Sequence, residues 1–477
     1  MTRVALLVVA VAVATRLAAV LWLHETVPYS DFVLYHGAGI EIARDPGFLV
    51  SRTAAVRFPQ IDLWPPGYPL FLAGVYTLNG PSYRAAIFVQ VFLGGLVCWL
   101  VMRCTAEALG RRAAGVAGLL VALDPHQVFL TNQLASENLY VLWLALALLL
   151  LPRLVATPAR GVAATSRQDA ATDRDPATDR RDSVATGVVL GLGALTRAIG
   201  LVVLLVAWVW LRSRVRGWRP WITQALWLLL GAGLVLLPWT ARNAAVRGRP
   251  ALVCFGGGLN FYFGNNPDRL GYQDLAGTPL EGLRDPVAID SQGYRLGLQT
   301  IATEPLGFLR RGAKKIASLY GFPDYALHVN SGILVPDTRG HPELEAVAQS
   351  KLSRQRARDR LLDGPFLLLA RGYHLVLLAL GALGLAFSWR GRHEKPKVKA
   401  TTSSRSSKKH DETNAPSTAA DTPGLVVLCS GLVLAWTAVH VLFWAQPRFR
   451  HPLEIPLAIL AAYALERGLG RRARLHA

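Results

Sequence analysis

The sequence predicts an all-α polytopic membrane protein. Of its 477 residues, 52% are hydrophobic and only 17% are charged, and long apolar runs recur along the chain. An apolar run of about 20 residues, coiled as a helix, crosses the roughly 30 Å hydrocarbon layer of a bilayer. A crossing segment must satisfy its own backbone hydrogen bonds, which favours helices, and the runs lack the short alternating pattern of barrel strands.

The apolar runs define the candidate spans. They lie at about 4–23, 85–103, 113–130, 138–152, 184–212, 221–238, 366–388, 423–444 and 452–466. The first run is long for the apolar part of a signal peptide, and no small-residue cleavage site follows it. We therefore expect it to be an uncleaved transmembrane helix.

Clusters of Arg and Lys beside the spans set the orientation, because loops rich in these residues stay in the cytoplasm. With this rule, both flanks of 184–212 are cytoplasmic. The segment is therefore predicted to be a hairpin of two short helices that turns near Thr196 and Arg197. The alternative is one long tilted helix. With the hairpin, the chain has about ten transmembrane helices.

The same basic clusters account for most of the net charge of +20. No basic stretch is interleaved with aromatic residues as a nucleic-acid groove would be, so we expect no nucleic-acid partner. The four cysteines show no zinc-ligand spacing. We expect neither a structural metal nor a disulfide framework.

Composition divides the chain between membrane and aqueous regions. A membrane module at 1–238 contains a first extracytoplasmic loop at 24–84, and a small mixed extracytoplasmic domain follows at 239–365. The C-terminal membrane helices occupy 366–466, and a cytoplasmic tail follows at 467–477. Two polar stretches, the loop 153–183 and the basic linker 389–422, have the composition of disordered cytoplasmic segments.

Two acids at the outer helix ends are candidates for chemistry. Asp31 lies just beyond the first span, where partial desolvation would raise its pKa and make it a better proton acceptor. The alternative is an ordinary interfacial aspartate or a helix cap. Glu137 is a second candidate, because acids near the membrane are costly and often functional. Its alternative is a place in the first helical turn behind a Ser136 cap.

Arginines at the outer ends are candidates for binding phosphate. Arg448 and Arg450 connect two outer helix ends, against the positive-inside tendency. Guanidinium forks bind phosphate oxygens in pairs, so both are candidate ligands of a lipid phosphate. The alternative is that they snorkel to headgroups. Arg197, at the tip of the hairpin, is assigned to the same site, and Arg57 is a weaker candidate.

A rigid turn follows in the first outer loop. Its residues are Pro65, Pro66, Gly67 and Tyr68. Prolines and a glycine fix such a turn, and the aromatic side chains suit the membrane interface. The turn either shapes an active-site loop or is a simple bend before the amphipathic stretch Pro66–Leu78.

In the order of these motifs, the chain resembles the GT-C superfamily of membrane glycosyltransferases, most closely the glycosyltransferase family 39 type. Protein O-mannosyltransferases and the lipid A aminoarabinose transferase are relatives. The matching features run from about residue 4 to 466. They are Ser30-Asp31 with Tyr35, Pro65 to Leu72, Gln90 with Gly94, Ser136-Glu137, Thr196-Arg197, Pro238 to Asn243, Gly264 to Pro267, and Arg448-Phe449-Arg450 with Pro452.

The resemblance implies a GT-C fold, a polyprenyl-phosphate sugar donor and an inverting transfer. The acid after the first helix is the catalytic base in such enzymes, so this role is carried to Asp31. Glu137 is then the auxiliary carboxylate. Tyr35 and Arg57 join Arg197, Arg448 and Arg450 as donor-binding residues. The acceptor is an unidentified glycan, lipid or protein, and membrane lipids are further partners.

The resemblance also leaves points open. Relatives often have a second acid beside the first, whereas Ser30 and Phe32 flank Asp31 here. We therefore expect that no cofactor is required, with a divalent metal as an open alternative. We expect a multi-pass protein of the inner or plasma membrane, with an extracytoplasmic active site. The competing class is a transporter or lipid flippase. Transporters, however, place their sites near the bilayer midplane, often with inverted repeats.

Overall fold

The structure, a computed structural model, describes residues 2–23, 31–57, 59–155, 176–266, 275, 277–321, 365–393 and 423–475. These residues form helices and connecting turns, with no β-strand among them. The helices are α1 (Thr2–Leu23), α2 (Asp31–Arg44), α3 (Arg52–Arg57), α4 (Gly67–Asn79), α5 (Tyr83–Leu109), α6 (Arg111–Leu123), α7 (Pro125–Leu130), α8 (Ser136–Val155), α9 (Pro176–Thr196), α10 (Gly200–Arg214), α11 (Trp218–Arg247), α12 (Gly257–Asn265), α13 (Pro286–Thr303), α14 (Pro305–Leu319), α15 (Pro365–His393), α16 (Gly424–Leu442) and α17 (Glu454–Leu475). Short 3₁₀ helices lie at Pro46–Leu49, Pro59–Asp62 and Pro447–Leu453.

Six of the described helices are long and apolar enough to cross a membrane, namely α1, α5, α8, α11, α15 and α16. The chain is therefore a multi-pass membrane protein. Helices α6, α9, α10 and α17 pack beside these six. The exact number of crossings stays a prediction.

The segment 184–212 has the predicted break. Helix α9 ends at Thr196 and α10 begins at Gly200. Gly187 of α9 approaches Leu228 of α11, and Gly191 approaches Val235, so these two helices run in the same direction. A short turn joins α10 to α11, and the rings of Trp208 and Trp221 lie 5.1 Å apart on either side of it. Helix α10 therefore runs back against α9, and the tip of the hairpin lies at 197–199.

Several helix bounds differ from the prediction. The span expected at 113–130 breaks at Asp124, whose side chain accepts hydrogen bonds from the first backbone N–H groups of α7, where Pro125 begins a new helix. Helix α9 begins at Pro176, so 176–183 is helical and was wrongly included in a disordered loop. The Arg and Asp residues of this stretch lie on the solvent-exposed start of α9, and a charged composition alone did not distinguish this helix from a disordered loop. Helix α11 continues to Arg247, beyond the expected end at 238.

In the predicted extracytoplasmic domain 239–365, the described residues form the end of α11 and three further helices, joined by turns. The three further helices are α12, α13 and α14. Much of the remainder, including 322–364, lies outside the described residues, and so does most of the linker 389–422.

A buried acid ties the first outer loop to the end of α11. Asp62 is 1% exposed and pairs with Arg242, and its other oxygen lies 2.6 Å from Arg247 Nε. Two arginines on one carboxylate compensate its charge inside the protein. The loop is therefore fixed over one end of the helix bundle.

Candidate active site

Four charged side chains from distant parts of the chain meet at this end of the bundle. Asp31 begins α2, and Glu137 lies in the first turn of α8. Arg197 lies in the hairpin turn after α9, and Arg448 lies in the 3₁₀ helix before α17. The sequence predicted all four as site residues. The structure brings them together, and the four are called the charged cluster below.

Arg448 lies between the two acids. Its Nη2 atom donates a hydrogen bond to Asp31 Oδ2 at 3.0 Å, and its Nε atom lies 3.1 Å from Glu137 Oε1. All three residues are buried. The rings of Phe32 and Phe449 lie 5.6 Å and 5.4 Å from its guanidinium carbon, within the range of cation–π attraction. This environment holds the guanidinium in one place.

Arg197 completes the charged cluster. Its Nη1 atom lies 2.8 Å from Glu137 Oε1 and donates to Ser136 Oγ at 2.9 Å. The Arg197 side chain is 16% exposed, against 1% for Glu137. Glu137 is thus the buried centre of the cluster, and Arg197 is its member nearest to solvent. Two acids and two arginines give the cluster no net charge.

Two tyrosines line the same region. Tyr35 lies one helical turn after Asp31 and on the same face of α2. Its ring contacts that of Tyr68 edge to face, with the centroids 5.3 Å apart. Burial, aided by the charge of Asp31, raises the pKa of Tyr35, and burial raises the pKa of Tyr68. Both phenols therefore stay protonated at neutral pH and can donate hydrogen bonds.

The predicted turn in the first outer loop packs against the hairpin tip. A Cβ atom added to Gly67 would lie 2.8 Å from the carbonyl oxygen of Leu195 and 2.9 Å from the backbone nitrogen of Thr196. Only glycine allows two backbones to approach this closely. On the other side of the turn, the Tyr68 hydroxyl donates to the amide oxygen of Gln90 on α5. The turn therefore supports the residue before Arg197.

Arg450, which was predicted to bind phosphate beside Arg448, lies elsewhere. It is 1% exposed, and its Nη1 atom donates to the carbonyl oxygens of Leu319 at 2.9 Å and Gly321 at 2.6 Å. Its Nη2 atom lies 3.4 Å from Glu454 Oε1. Alternate residues of a tight 3₁₀ helix face different sides, so Arg448 faces the charged cluster while Arg450 anchors the helix to its neighbours.

Two further predictions fall outside what the structure describes. The side chain of Arg57 is not among the described ones, and residues 28–30, which precede Asp31, lie in the gap before α2.

Conversely, Asp62 was not predicted from the sequence. Its partners Arg242 and Arg247 are distant in the chain. Burial of the Asp62 carboxylate would have indicated a buried ion pair, but the local sequence does not show that burial.

The described residues contain no group of three or more His, Cys, Asp or Glu side chains arranged to hold a metal ion. That no metal cofactor is required stays a prediction.

Comparison with known proteins supports the resemblance. The family model of dolichyl-phosphate-mannose-protein mannosyltransferases matches residues 64–162. No curated protein matches the sequence. The oligosaccharyltransferase of Archaeoglobus fulgidus, in its apo form, is structurally similar, with a TM-score of 0.51 and 13% identity over 98% of this chain and 51% of that one. A second structure of that enzyme, in complex with zinc and sulfate, has the same TM-score and identity over 97% of this chain and 49% of that one.

ArnT from Cupriavidus metallidurans, bound to undecaprenyl phosphate, aligns with 16% identity and a TM-score of 0.39 over 97% of this chain and 78% of that one. This chain spans about half the length of the oligosaccharyltransferase, at 51% of it. The resemblance predicted from the motifs is confirmed at the level of fold: the chain has the fold of that oligosaccharyltransferase, and over residues 64–162 its sequence is similar to the dolichyl-phosphate-mannose-protein mannosyltransferases.

Proposed function

We propose that the protein is an inverting glycosyltransferase. It moves a monosaccharide from a polyprenyl-phosphate donor to an acceptor hydroxyl at the extracytoplasmic face of the membrane. The observation that carries the proposal is the charged cluster, in which a base candidate, Asp31, and a phosphate-binding candidate, Arg448, form an ion pair of 3.0 Å at one end of the bundle.

In the proposed reaction, the acceptor oxygen attacks the anomeric carbon of the sugar. Its proton moves to the Asp31 carboxylate, the new carbon–oxygen bond forms, and the bond between the anomeric carbon and the phosphate oxygen breaks. The bonding electrons leave with the polyprenyl phosphate. A positioned base contributes about 10²–10⁴-fold to such a reaction.

The charge balance of the cluster supports this chemistry. Before the reaction the two acids and two arginines sum to zero. When Asp31 takes the proton, the cluster becomes positive by one unit, and the departing phosphate becomes more negative by one unit. Because Arg448 is paired with Asp31, protonation of Asp31 makes the Arg448 guanidinium available to the phosphate as the negative charge of the phosphate develops. Stabilisation that appears in the transition state, rather than in the ground state, accelerates the reaction.

Each remaining residue has a place in the proposal. Glu137 holds Arg197 and Arg448, Tyr35 is a hydrogen-bond donor to the sugar or phosphate, and the turn from Pro65 to Tyr68 shapes the wall beside the hairpin. The proposed reaction requires no metal. The similar oligosaccharyltransferase has been solved in complex with zinc and sulfate. Any assay should therefore include samples with a chelator.

An assay in vesicles separates transfer from transport. The full-length protein is reconstituted with a panel of polyprenyl-phosphate sugars carrying a labelled monosaccharide, together with an extract containing glycan, lipid and protein acceptors. The proposal predicts that label moves to an acceptor while polyprenyl phosphate is released, with or without EDTA. Movement of the intact lipid across the bilayer, with no release of polyprenyl phosphate, would support the transporter or flippase instead.

A further inference from the structure

Helix α14 has an unusual distribution of side chains. The large apolar residues Leu306 and Leu309 are 69% and 64% exposed on one side. On the other side, Arg311 is 6% exposed and Lys315 only 1%. A helix in water shows the opposite pattern. The pattern of α14 suits a helix whose apolar side contacts lipid and whose cations face the protein interior.

The buried cations have unused hydrogen-bond donors. Lys315 Nζ makes no hydrogen bond to a described residue, and it lies 5.7 Å from the centroid of the Phe308 ring. Arg311 Nη1 lies 3.0 Å from Glu304 Oε2, but within the described part of the chain its Nε and Nη2 atoms find no acceptor. Burial and the neighbouring Arg311 lower the pKa of Lys315 to about 8. A buried charge without an ion-pair partner is costly, so these donors are suited to binding an anion.

Helix α14 packs beside the charged cluster. Ser318 Oγ lies 3.4 Å from the carbonyl oxygen of Ala445, three residues before Arg448. A Cβ atom added to Gly312 of α14 would lie 3.2 Å from Val441 Cγ1 of α16, the residue after His440. The His440 ring lies 5.7 Å from the ring of Phe449, which in turn contacts both Arg197 and Arg448. The two cations therefore lie between the lipid-facing side of α14 and the charged cluster.

The charge balance explains why further cations are needed. The charged cluster has no net charge before the reaction, so it offers no surplus attraction to the single negative charge of a donor phosphodiester. Arg311, Lys315 and Glu304 together carry one surplus positive charge. This surplus matches a phosphodiester that arrives from the bilayer.

We propose that Arg311 and Lys315 form the phosphate subsite that receives the head group of a membrane-borne isoprenoid phosphate. Its chain lies along the apolar side of α14, at Leu306, Leu309 and Ile316. The inference rests on the proposed function and deepens it. The subsite binds the phosphate in the ground state, and Arg448 takes over the charge that develops during transfer. The recognised chemistry is a phosphate oxygen anion, whether on a lipid or free in solution.

Binding of undecaprenyl phosphate to the full-length protein in phosphatidylcholine nanodiscs tests the proposal. The double variant Arg311→Met, Lys315→Met is compared with Arg310→Met, Lys314→Met, which removes two exposed cations from the same helix. We expect the buried pair to lose about tenfold or more in affinity, as the loss of charge-assisted hydrogen bonds predicts, and the exposed pair to keep wild-type affinity. The proposal is overturned if both double variants bind alike.

Two controls keep the result interpretable. The unfolding temperature of the ligand-free buried-pair variant should equal or exceed that of the wild type, because Lys315 pairs with no described carboxylate and Arg311 loses only a pair with the exposed Glu304, worth about 0–1 kcal/mol. If the double variant does not fold, Lys315→Met alone carries the test. Inorganic phosphate is the second probe: displacement of undecaprenyl phosphate by equal concentrations of it would overturn the assignment to a lipid. A wild-type protein that binds undecaprenyl phosphate through Arg311 and Lys315 but transfers no sugar would refute only the proposed reaction.

Discussion

At the scale of single residues, the molecule depends on one guanidinium shared between two carboxylates. Arg448 contacts both Asp31 and Glu137, and Arg197 contacts Glu137 as well. Glu137 therefore holds two cations, and it is the most deeply buried of the four side chains. Its negative charge fixes the positions of the groups that we expect to act on the phosphate.

Replacing Glu137 by Gln should lower both stability and transfer. The substitution keeps the shape of the side chain but leaves the buried Arg448 and the partly buried Arg197 without their shared carboxylate. Breaking a buried ion pair by removing one partner costs about 3–5 kcal/mol. We expect the free energy of unfolding to fall by about 3 kcal/mol, as measured by denaturant or thermal unfolding in detergent, with transfer falling in the same preparation.

The matched control is Glu107→Gln. Glu107 also contacts two arginines, Arg103 at 3.1 Å and Arg153 at 2.6 Å, but it is 38% exposed. Exposed ion pairs contribute about 0–1 kcal/mol, so this variant should unfold like the wild type. Equal effects of the two substitutions would contradict the special role of the charged cluster.

The sequence predicted the members of the charged cluster because each is a charged residue at an outer helix end. The same rule gave Arg450 a role in the site, since sequence position does not show which side of a 3₁₀ helix a residue faces. Asp62 and the pair Arg311 and Lys315 were missed for a related reason. Their burial depends on contacts between segments that are distant in the chain, and no local pattern records it.

At the scale of elements, the site is assembled from turns rather than from helix centres. The hairpin tip presents Arg197, the 3₁₀ helix presents Arg448, and the start of α2 presents Asp31. Each turn is fixed by a neighbour. The loop at Gly67 packs on the hairpin, and Arg450 anchors the 3₁₀ helix to the end of α14. Helix packing thus determines the spacing of the residues in the charged cluster.

Gly67→Ala tests the contact between the loop and the hairpin. The new methyl group would meet backbone atoms of Leu195 and Thr196, which cannot move aside as a flexible side chain can. Such overpacking costs about 1–3 kcal/mol. We expect a lower unfolding temperature and a slower transfer, because Arg197 follows the displaced segment directly.

Gly74→Ala is the control on the same helix. Apart from its chain neighbours and the backbone of its own helix, no atom lies within 4 Å of the position of its added Cβ atom, so the substitution should be neutral or stabilise α4 by about 0.5–1 kcal/mol. A Gly67→Ala variant with unchanged unfolding and unchanged transfer would show that the loop does not position the hairpin.

Element boundaries were predictable where apolar runs end at basic clusters, as in the hairpin. They were not predictable where polar residues continue a helix or interrupt an apolar run. Pro176 begins α9 within a stretch of alternating charges, and Asp124 breaks an apolar run that composition alone would read as one helix. In both places the local sequence permits several conformations, and packing against neighbouring helices selects one.

At the scale of the whole molecule, all the groups of the proposed reaction lie at one end of the bundle. The basic clusters of Arg111 and Arg212 lie at the opposite helix ends. The positive-inside tendency favours a cytoplasmic position for that end, in agreement with the proposed extracytoplasmic site. A transporter would instead need its polar groups near the middle of the bilayer.

The central claim is that the Asp31 carboxylate accepts the proton of the acceptor, and single-turnover transfer by Asp31→Asn tests it most directly. Asn keeps an oxygen that can accept the hydrogen bond from Arg448, so the charged cluster should stay folded, while the base is lost. Asp45→Asn is the control, since Asp45 is an exposed cap in the same outer loop and Asn caps equally well. We predict a rate about 10²–10⁴-fold lower for Asp31→Asn and an unchanged rate for Asp45→Asn. Transfer at the wild-type rate by a folded Asp31→Asn protein would contradict the account.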